Sequence, residues 1–367
     1  MIRILHVLGA LDRGGAETMI MNLYRNIDRN LIQFDFVVHT LEKGDYEEEI
    51  NSLGGIVYRI AKYTGKNHIL YKKLWKDFFV QHPEYKIIHG HMRSTASIYL
   101  KIAKKLSRIT ISHSHSTSSG TGFSSFVKDV LQFPIRYTAD YFLACSQTAG
   151  EWLYGKEITK RNNFFIVKNG IDTDNFLFDN DKRLRKRKEL EITNKLVIGH
   201  IGRFVHAKNH SFLIEIFNEL HYMEKESVLL LVGDGEDKQY IKKKVKNMNL
   251  QNKVLFIDPQ SDISDYLFAM DTFVFPSIYE GLGIAVIEAQ ASNLPCVISD
   301  NIPLEACLSN DILRLSLELS AKEWARYILK SNTEISNKVS SNRLVKEKYD
   351  IKESTLFMSD FYCNIIK

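Results

Sequence analysis

The stretch Pro276-Ser277-Ile278-Tyr279-Glu280-Gly281-Leu282-Gly283-Ile284-Ala285-Val286-Ile287-Glu288-Ala289 sets a strand end, a glycine turn and a helix start around two carboxylates. Thr272 to Phe275 is a short apolar run suited to a buried strand, and Pro276 and Ser277 end it. Gly281 and Gly283 permit a tight turn before Ile284 to Ile287 resume as a helix. Such a helix start presents unsatisfied amides and the positive end of the helix dipole, so phosphate is its natural guest. A carboxylate beside a phosphate repels it. Glu280 and Glu288 are therefore expected either to face hydroxyl-rich parts of one ligand, such as a ribose and a hexose, or to be a loop residue and a solvated first-turn residue.

Outward from this stretch, short apolar runs alternate with helical segments. Leu196 to Ile201, Val228 to Val232, Val254 to Ile257, Cys296 to Ser299 and Ile312 to Leu315 read as the companion strands of one domain. The first of them leads into Gly202-Arg203 and then Lys208-Asn209-His210. Two cations at a strand end and beside a helix start would neutralise a diphosphate without a metal, or would form a structural ion pair. Gly233-Asp234-Gly235 reads as a turn. Asp181 to Glu189 carries six Lys or Arg residues, and a solvated helix with its charges outward is the expectation.

The first half repeats the alternation, with strands at Ile2 to Leu8, Phe34 to Thr40, Gly55 to Ile60, Lys86 to His91, Ile109 to His115, Tyr141 to Ser146 and Phe165 to Lys168. That pattern predicts a doubly wound parallel sheet. Gly14 and Gly15 lead into a helix near Ala16 without the Gly-x-Gly-x-x-Gly spacing of a dinucleotide fold, which argues against a dehydrogenase. His89, His91, His113 and His115 stand at strand ends, where such sheets bind ligands. Zinc is conceivable from four imidazoles, but no acidic or cysteine ligand has matching spacing, and no metal is expected. The turn residues Asn169-Gly170-Ile171-Asp172 place a domain boundary there.

With 367 residues, 44% hydrophobic and 25% charged, the chain suits two globular domains. A net charge of +5 without an aromatic RNA-binding signature argues against nucleic acid. The four scattered cysteines have no metal-ligand spacing and point to a reducing cytoplasm. No run approaches the ~18 apolar residues of a membrane span, so any membrane contact is expected to be peripheral. Gly120 to Tyr137, with Phe123, Phe126, Val127, Val130, Leu131 and Phe133 at helical spacing, is either core packing or, with Lys128, Arg136, Lys72, Lys73 and Lys76, a basic membrane-facing surface.

The glutamates with seven residues between them inside Pro-Ser-x-x-Glu-Gly-x-Gly resemble the signature of retaining nucleotide-sugar glycosyltransferases of family four, which have the two-Rossmann-domain GT-B fold. Arg13-Gly14-Gly15-Ala16-Glu17, His113-Ser114-His115-Ser116, Asn169-Gly170-Ile171-Asp172 and Gly202-Arg203-Phe204 with Lys208-Asn209-His210 extend the resemblance along nearly the whole chain, nearest to bacterial capsule and exopolysaccharide enzymes. It implies two Rossmann-like α/β domains facing a central cleft: 1–171 on the acceptor side, 172–350 for the nucleotide-sugar, and 351–367 as a helix crossing back to the first. The implied activity is metal-independent transfer of a hexose, from a donor best guessed as a UDP-sugar, to a glycan or lipid-linked saccharide. The implied setting is the cytoplasm, at the inner face of the cell membrane. His115, Glu280, Arg203 and Lys208 are the implied catalytic residues. Gly14, Gly15, Arg203, Lys208, Ile257, Glu280, Gly281, Leu282, Gly283, Ile284 and Glu288 are the implied donor contacts, with Glu288 on the ribose and Glu280 on the transferred sugar. A nucleotide-sugar epimerase on the same fold and a noncatalytic sugar-nucleotide-binding partner are the alternatives.

Overall fold

The computed structural model describes residues 1–116, 123–260, 262–309, 312–334 and 341–366, with 123–127 and 332–334 described by backbone alone. The chain divides into two compact units, Met1–Ile171 with Ile351–Lys367, and Asp172–Asp350.

The first unit is built on seven parallel strands: β1 (Ile2–Val7), β2 (Ile32–Val38), β3 (Val57–Arg59), β4 (Ile87–Gly90), β5 (Ile109–Ser114), β6 (Tyr141–Ala144) and β7 (Phe164–Ile166). Their order is β3-β2-β1-β4-β5-β6-β7. Alternate residues of β1 serve opposite faces. Ile4 joins a core with Tyr24, Phe34, Ile111 and Tyr362, whereas Leu5 and Val7 join one with Trp75, Tyr99 and Phe142. Both faces are covered, which is why these strands read as continuous apolar runs. Burying a side chain such as Phe34 contributes roughly 1.5–3 kcal/mol.

The helix Ile351–Ile365 covers the first of these faces, with Met358, Phe361 and Tyr362 buried against it. Leu356 is 61% exposed, whereas Phe357, 37% exposed, still sets its ring beside Phe165 and Phe361, with centroids 6.0 and 6.2 Å apart. On the same unit, Val130, Phe133 and Tyr137 are exposed while Ile135 is buried. The side chains of Phe123, Phe126 and Val127, and residues 117–122, lie outside the described residues.

The second unit has six parallel strands: β8 (Leu196–Ile201), β9 (Ser227–Val232), β10 (Val254–Ile257), β11 (Thr272–Phe275), β12 (Cys296–Ser299) and β13 (Ile312–Leu315), in the order β10-β9-β8-β11-β12-β13. Leu213, Phe217, Leu229, Leu231 and Trp324 centre its core. The basic helix Asn180–Glu189 departs from the expectation of charges outward. Arg187 is buried, and both it and Arg183 donate to Asp271, the residue before β11, at 3.1 and 2.5 Å. Asp271 also accepts from the Val197 amide at 2.8 Å, so one carboxylate ties this helix to the start of β8. An acid at the opposite end of the sheet from the glycine loops supplied the inward pull that the local charge run could not reveal.

Candidate functional site

In both sheets the strand order reverses beside the first strand, between β1 and β4 and between β8 and β11. In such sheets a crevice opens at the carboxyl ends of the strands flanking the reversal.

In the second unit the loops after β8 and β11 meet at this point. The Ile278 amide donates to the Ala207 carbonyl at 2.8 Å, which fastens the loop carrying Glu280 to the loop carrying Lys208. Lys208 Nζ donates to Glu280 Oε1 at 2.7 Å and lies 4.5 Å from the centroid of the Phe275 ring. Ser299 Oγ and Asn301 Nδ2 donate to the carbonyls of Ser277 and Ile278, holding the Pro276–Gly283 loop from its other side. The loop after β9 packs close beneath. A Cβ on Gly233, at φ 146°, would stand 2.2 Å from the Gly202 carbonyl oxygen, so only glycine fits there.

The helix Ile284–Ala291 begins at Gly283, whose φ of 89° and ψ of 59° are left-handed. No side chain caps this start, and of its first amides that of Val286 donates to the Gly283 carbonyl at 2.9 Å. Leu282 is buried and anchors the turn, while Gly281 and Ile284 are half-buried. Glu288 lies in the second turn rather than the first, half-buried and not solvated. Desolvation pushes its carboxyl up to about 7, against the opposing pull of the Lys208 charge. Arg203, two residues beyond β8, is exposed. The carbonyl of Ile257 already accepts from the Gly233 amide at 3.0 Å and keeps its second lone pair for another donor. The second unit thus brings together Lys208, Glu280, Glu288 and the Gly281–Ile284 turn.

The first unit carries a ladder of five imidazoles. His6 on β1 pairs in register with His89 on β4 and was not singled out by sequence reasoning. Its signal was a polar residue inside an otherwise apolar buried strand. One chain of contacts runs from His6 Nδ1 to His91 Nε2 (3.0 Å) and from His91 Nδ1 to His115 Nε2 (2.9 Å). A second runs from the Tyr362 hydroxyl to His89 Nδ1 (2.7 Å) and from His89 Nε2 to His113 Nδ1 (3.2 Å). Burial holds every ring of the ladder below the usual histidine range, His6 and His115 down to about 3. The rings are therefore neutral at pH 7. His6 Nε2, His113 Nε2 and His115 Nδ1 are buried without a hydrogen-bond partner among the described residues. Within the triads His6-His89-His91 and His91-His113-His115, one ring nitrogen of each residue lies within 4.8 Å of the others.

Gly14 caps the helix Gly15–Asn26 in extended conformation, without a side-chain cap. A Cβ on Gly14 would meet the Glu17 carboxylate at 2.4 Å, whereas one on Gly15 would meet open space. That carboxylate is the far end of a flexible side chain and can turn aside, so close approach constrains neither glycine.

Residues 13–175 match the family model described as Glycosyltransferase Family 4, and residues 181–332 match that described as Glycosyl transferases group 1. The chain is 34% identical over 339 residues to EpsF of Bacillus subtilis (strain 168), described as a glycosyltransferase, covering 90% of this chain and 87% of that protein. It is 23% identical to the capsular polysaccharide biosynthesis glycosyltransferase CapH of Staphylococcus aureus, over 99% of each. A crystal structure of Anabaena HepE in complex with UDP-glucose superposes with a TM-score of 0.83 at 17% identity, covering 99% of this chain and 100% of that one. Two parallel-sheet Rossmann-like units, both family models and a relative matched over nine-tenths of the chain agree: this protein belongs to the group 1, family 4 glycosyltransferases, with the GT-B fold.

Proposed function

We propose that the protein transfers a hexose from a nucleoside-diphosphate sugar, with uridine diphosphate as leaving group, to a lipid-linked saccharide in capsule or exopolysaccharide synthesis, with retention at the anomeric carbon. The observation that carries the reading is Lys208, held 2.7 Å from Glu280 beside a helix start that no side chain caps. That arrangement offers cation and amide donors to a diphosphate while keeping a carboxylate for sugar hydroxyls. Arg203 joins Lys208 on the phosphates and Glu288 takes the ribose hydroxyls. Gly14, Gly15 and His115 are assigned to the sugar and acceptor.

In the reaction the acceptor oxygen bonds to the anomeric carbon as the bond from that carbon to the diphosphate oxygen breaks. The departing oxygen receives the acceptor proton. Charge developing on the diphosphate is met by Lys208, Arg203 and the helix amides, with no metal in that step. Two names support the donor and the acceptor class. HepE was crystallised with UDP-glucose, and an Escherichia coli relative, 30% identical over 65% of this chain and 62% of that protein, is named for galactosyl transfer from UDP-Gal to a diphosphoundecaprenol-linked sugar.

A docking surface for the lipid is offered by the helix His68–Gln81, where Ile69, Leu70, Lys72, Lys73, Lys76 and Val80 are exposed. Among the described residues no helix is long and apolar enough to cross a membrane, and the contact proposed is a peripheral one. The test is release of uridine diphosphate from a panel of UDP-sugars when a lipid-linked saccharide is added, in the presence of chelator. No release from any donor, or activity that appears only with added magnesium or manganese, refutes the reading.

A further inference from the structure

We propose that His91, His113 and His115 form a binding site for one borderline first-row divalent ion of the zinc and cobalt type. One ring nitrogen from each lies within 4.8 Å of the other two. Bonds of ~2.0–2.1 Å to a tetrahedral zinc put ligand nitrogens roughly 3.3–3.5 Å apart, a closure that small rotations of half-buried rings supply. His91 and His115 are half-buried and give an approach, and His113 is 1% exposed.

The ring protons favour this occupant. When His91 gives its Nε2 proton to His6 Nδ1, its own Nδ1 is a lone pair 2.9 Å from His115 Nε2, and these two nitrogens can share one cation. In the second chain, turning His89 and His113 so that each Nδ1 carries the proton directs them to Tyr362 and His89, and leaves His113 Nε2 as a buried bare lone pair. A cation is the partner that bare lone pairs accept without a proton. Ligating histidines characteristically give their other nitrogen to a supporting acceptor, and those acceptors are in place: His6 Nδ1 for His91 at 3.0 Å and His89 Nε2 for His113 at 3.2 Å. The neighbouring triad is the poorer choice. Its His6 and His89 are each 1% exposed, which closes the approach that His91 and His115 leave open.

An all-imidazole set selects zinc, cobalt, nickel or copper over magnesium, calcium or manganese, which prefer oxygen. Three protein ligands leave a fourth position open to water. The site departs from the metal independence that the family resemblance implies. It uses none of the residues assigned to the diphosphate, but it shares His115 with the sugar and acceptor contacts proposed above.

The test uses the full chain stripped with chelator. Cobalt titration should give the visible absorption of a four-coordinate ion, saturating at one equivalent per chain. Zinc at a hundred times its dissociation constant should raise the melting temperature by about 5–10 °C, and magnesium should leave it unchanged. His113→Gln and His115→Gln should each weaken cobalt binding by ~10-fold or more, while His221→Gln, in the second unit, should bind as the natural protein does. His115→Gln, at a half-buried strand end, keeps the test valid should His113→Gln fail to fold. Absence of the cobalt spectrum, or equal binding by natural protein and His115→Gln, overturns the proposal. So does loss of binding in His6→Gln with His115→Gln unaffected, since the ion would then occupy the other triad.

Discussion

Glu280→Gln should tighten the binding of free uridine diphosphate while lowering turnover. Lys208 donates to Glu280 at 2.7 Å, with side chains 18% and 14% exposed, so an incoming phosphate must share this ammonium with a carboxylate. Two acceptors on one ammonium stand ~5 Å apart, and two negative charges at that distance repel by about 1–3 kcal/mol as the effective dielectric falls from that of water toward ~20. Neutralising Glu280 removes this repulsion. At the more solvated end of the range the gain is about 1 kcal/mol, or roughly five-fold in dissociation constant. Lys208→Met should act in the opposite direction and cost about 1.5–3 kcal/mol, the range for a charged hydrogen bond, or roughly 10- to 150-fold. Titration calorimetry with uridine diphosphate and with an intact donor reads both variants. Weaker diphosphate binding in Glu280→Gln would refute the competition, because it would mean that the carboxylate orients Lys208 toward the phosphate instead of drawing it away.

Three further outcomes follow from other contacts. Glu288 carries a folded-state carboxyl raised to about 7, against 4.5 as its ordinary value. Its destabilising contribution is therefore absent below about pH 4.5, grows as pH rises to about 7 and is constant above. Glu288→Gln should stabilise the second unit by about 1–3 kcal/mol at pH 8 and leave it unchanged near pH 4.5, which melting curves at the two pH values check. Asp271→Asn should destabilise by about 3 kcal/mol or more, because the buried Arg187 loses its counter-charge; denaturant unfolding measures it, and a loss below about 1 kcal/mol would show that the carbonyls around Arg187 suffice. Liposomes containing anionic lipid should float the protein at low salt, and replacing Lys72, Lys73 and Lys76 by Gln should abolish flotation.

Sheet-forming segments were legible because period and punctuation are local properties. Leu196–Ile201, Val254–Ile257, Thr272–Phe275, Cys296–Ser299 and Ile312–Leu315 fall where apolar runs bounded by turn residues place them. The glycine turn before Ile284 was legible for the same reason, although the left-handed position belongs to Gly283 and not to Gly281. What remained hidden depended on partners distant in sequence. Lys208 and Glu280 are 72 residues apart, and their pairing follows from β8 and β11 being neighbours. Arg187 turned inward because Asp271, 84 residues on, stands just before the central strand β11. His6 joined the histidine ladder through the pairing of β1 with β4, which no local spacing encodes.

The helix Ile351–Ile365 closes a face of the first unit, yet 180 positions separate Ile171 from Ile351. During synthesis at ~5–20 residues per second, that face waits on the order of 10–40 s for its cover. Throughout the delay the surroundings of Tyr141, Phe165 and the His89 ring lie open on the nascent chain, while the second unit is made without interruption and can fold as soon as it is complete. Chaperone engagement should therefore concentrate on residues 1–171 and cease once the returning helix leaves the ribosome. A gene rearranged to encode Ile351–Lys367 ahead of Met1 would remove the wait and, with it, the dependence on assistance.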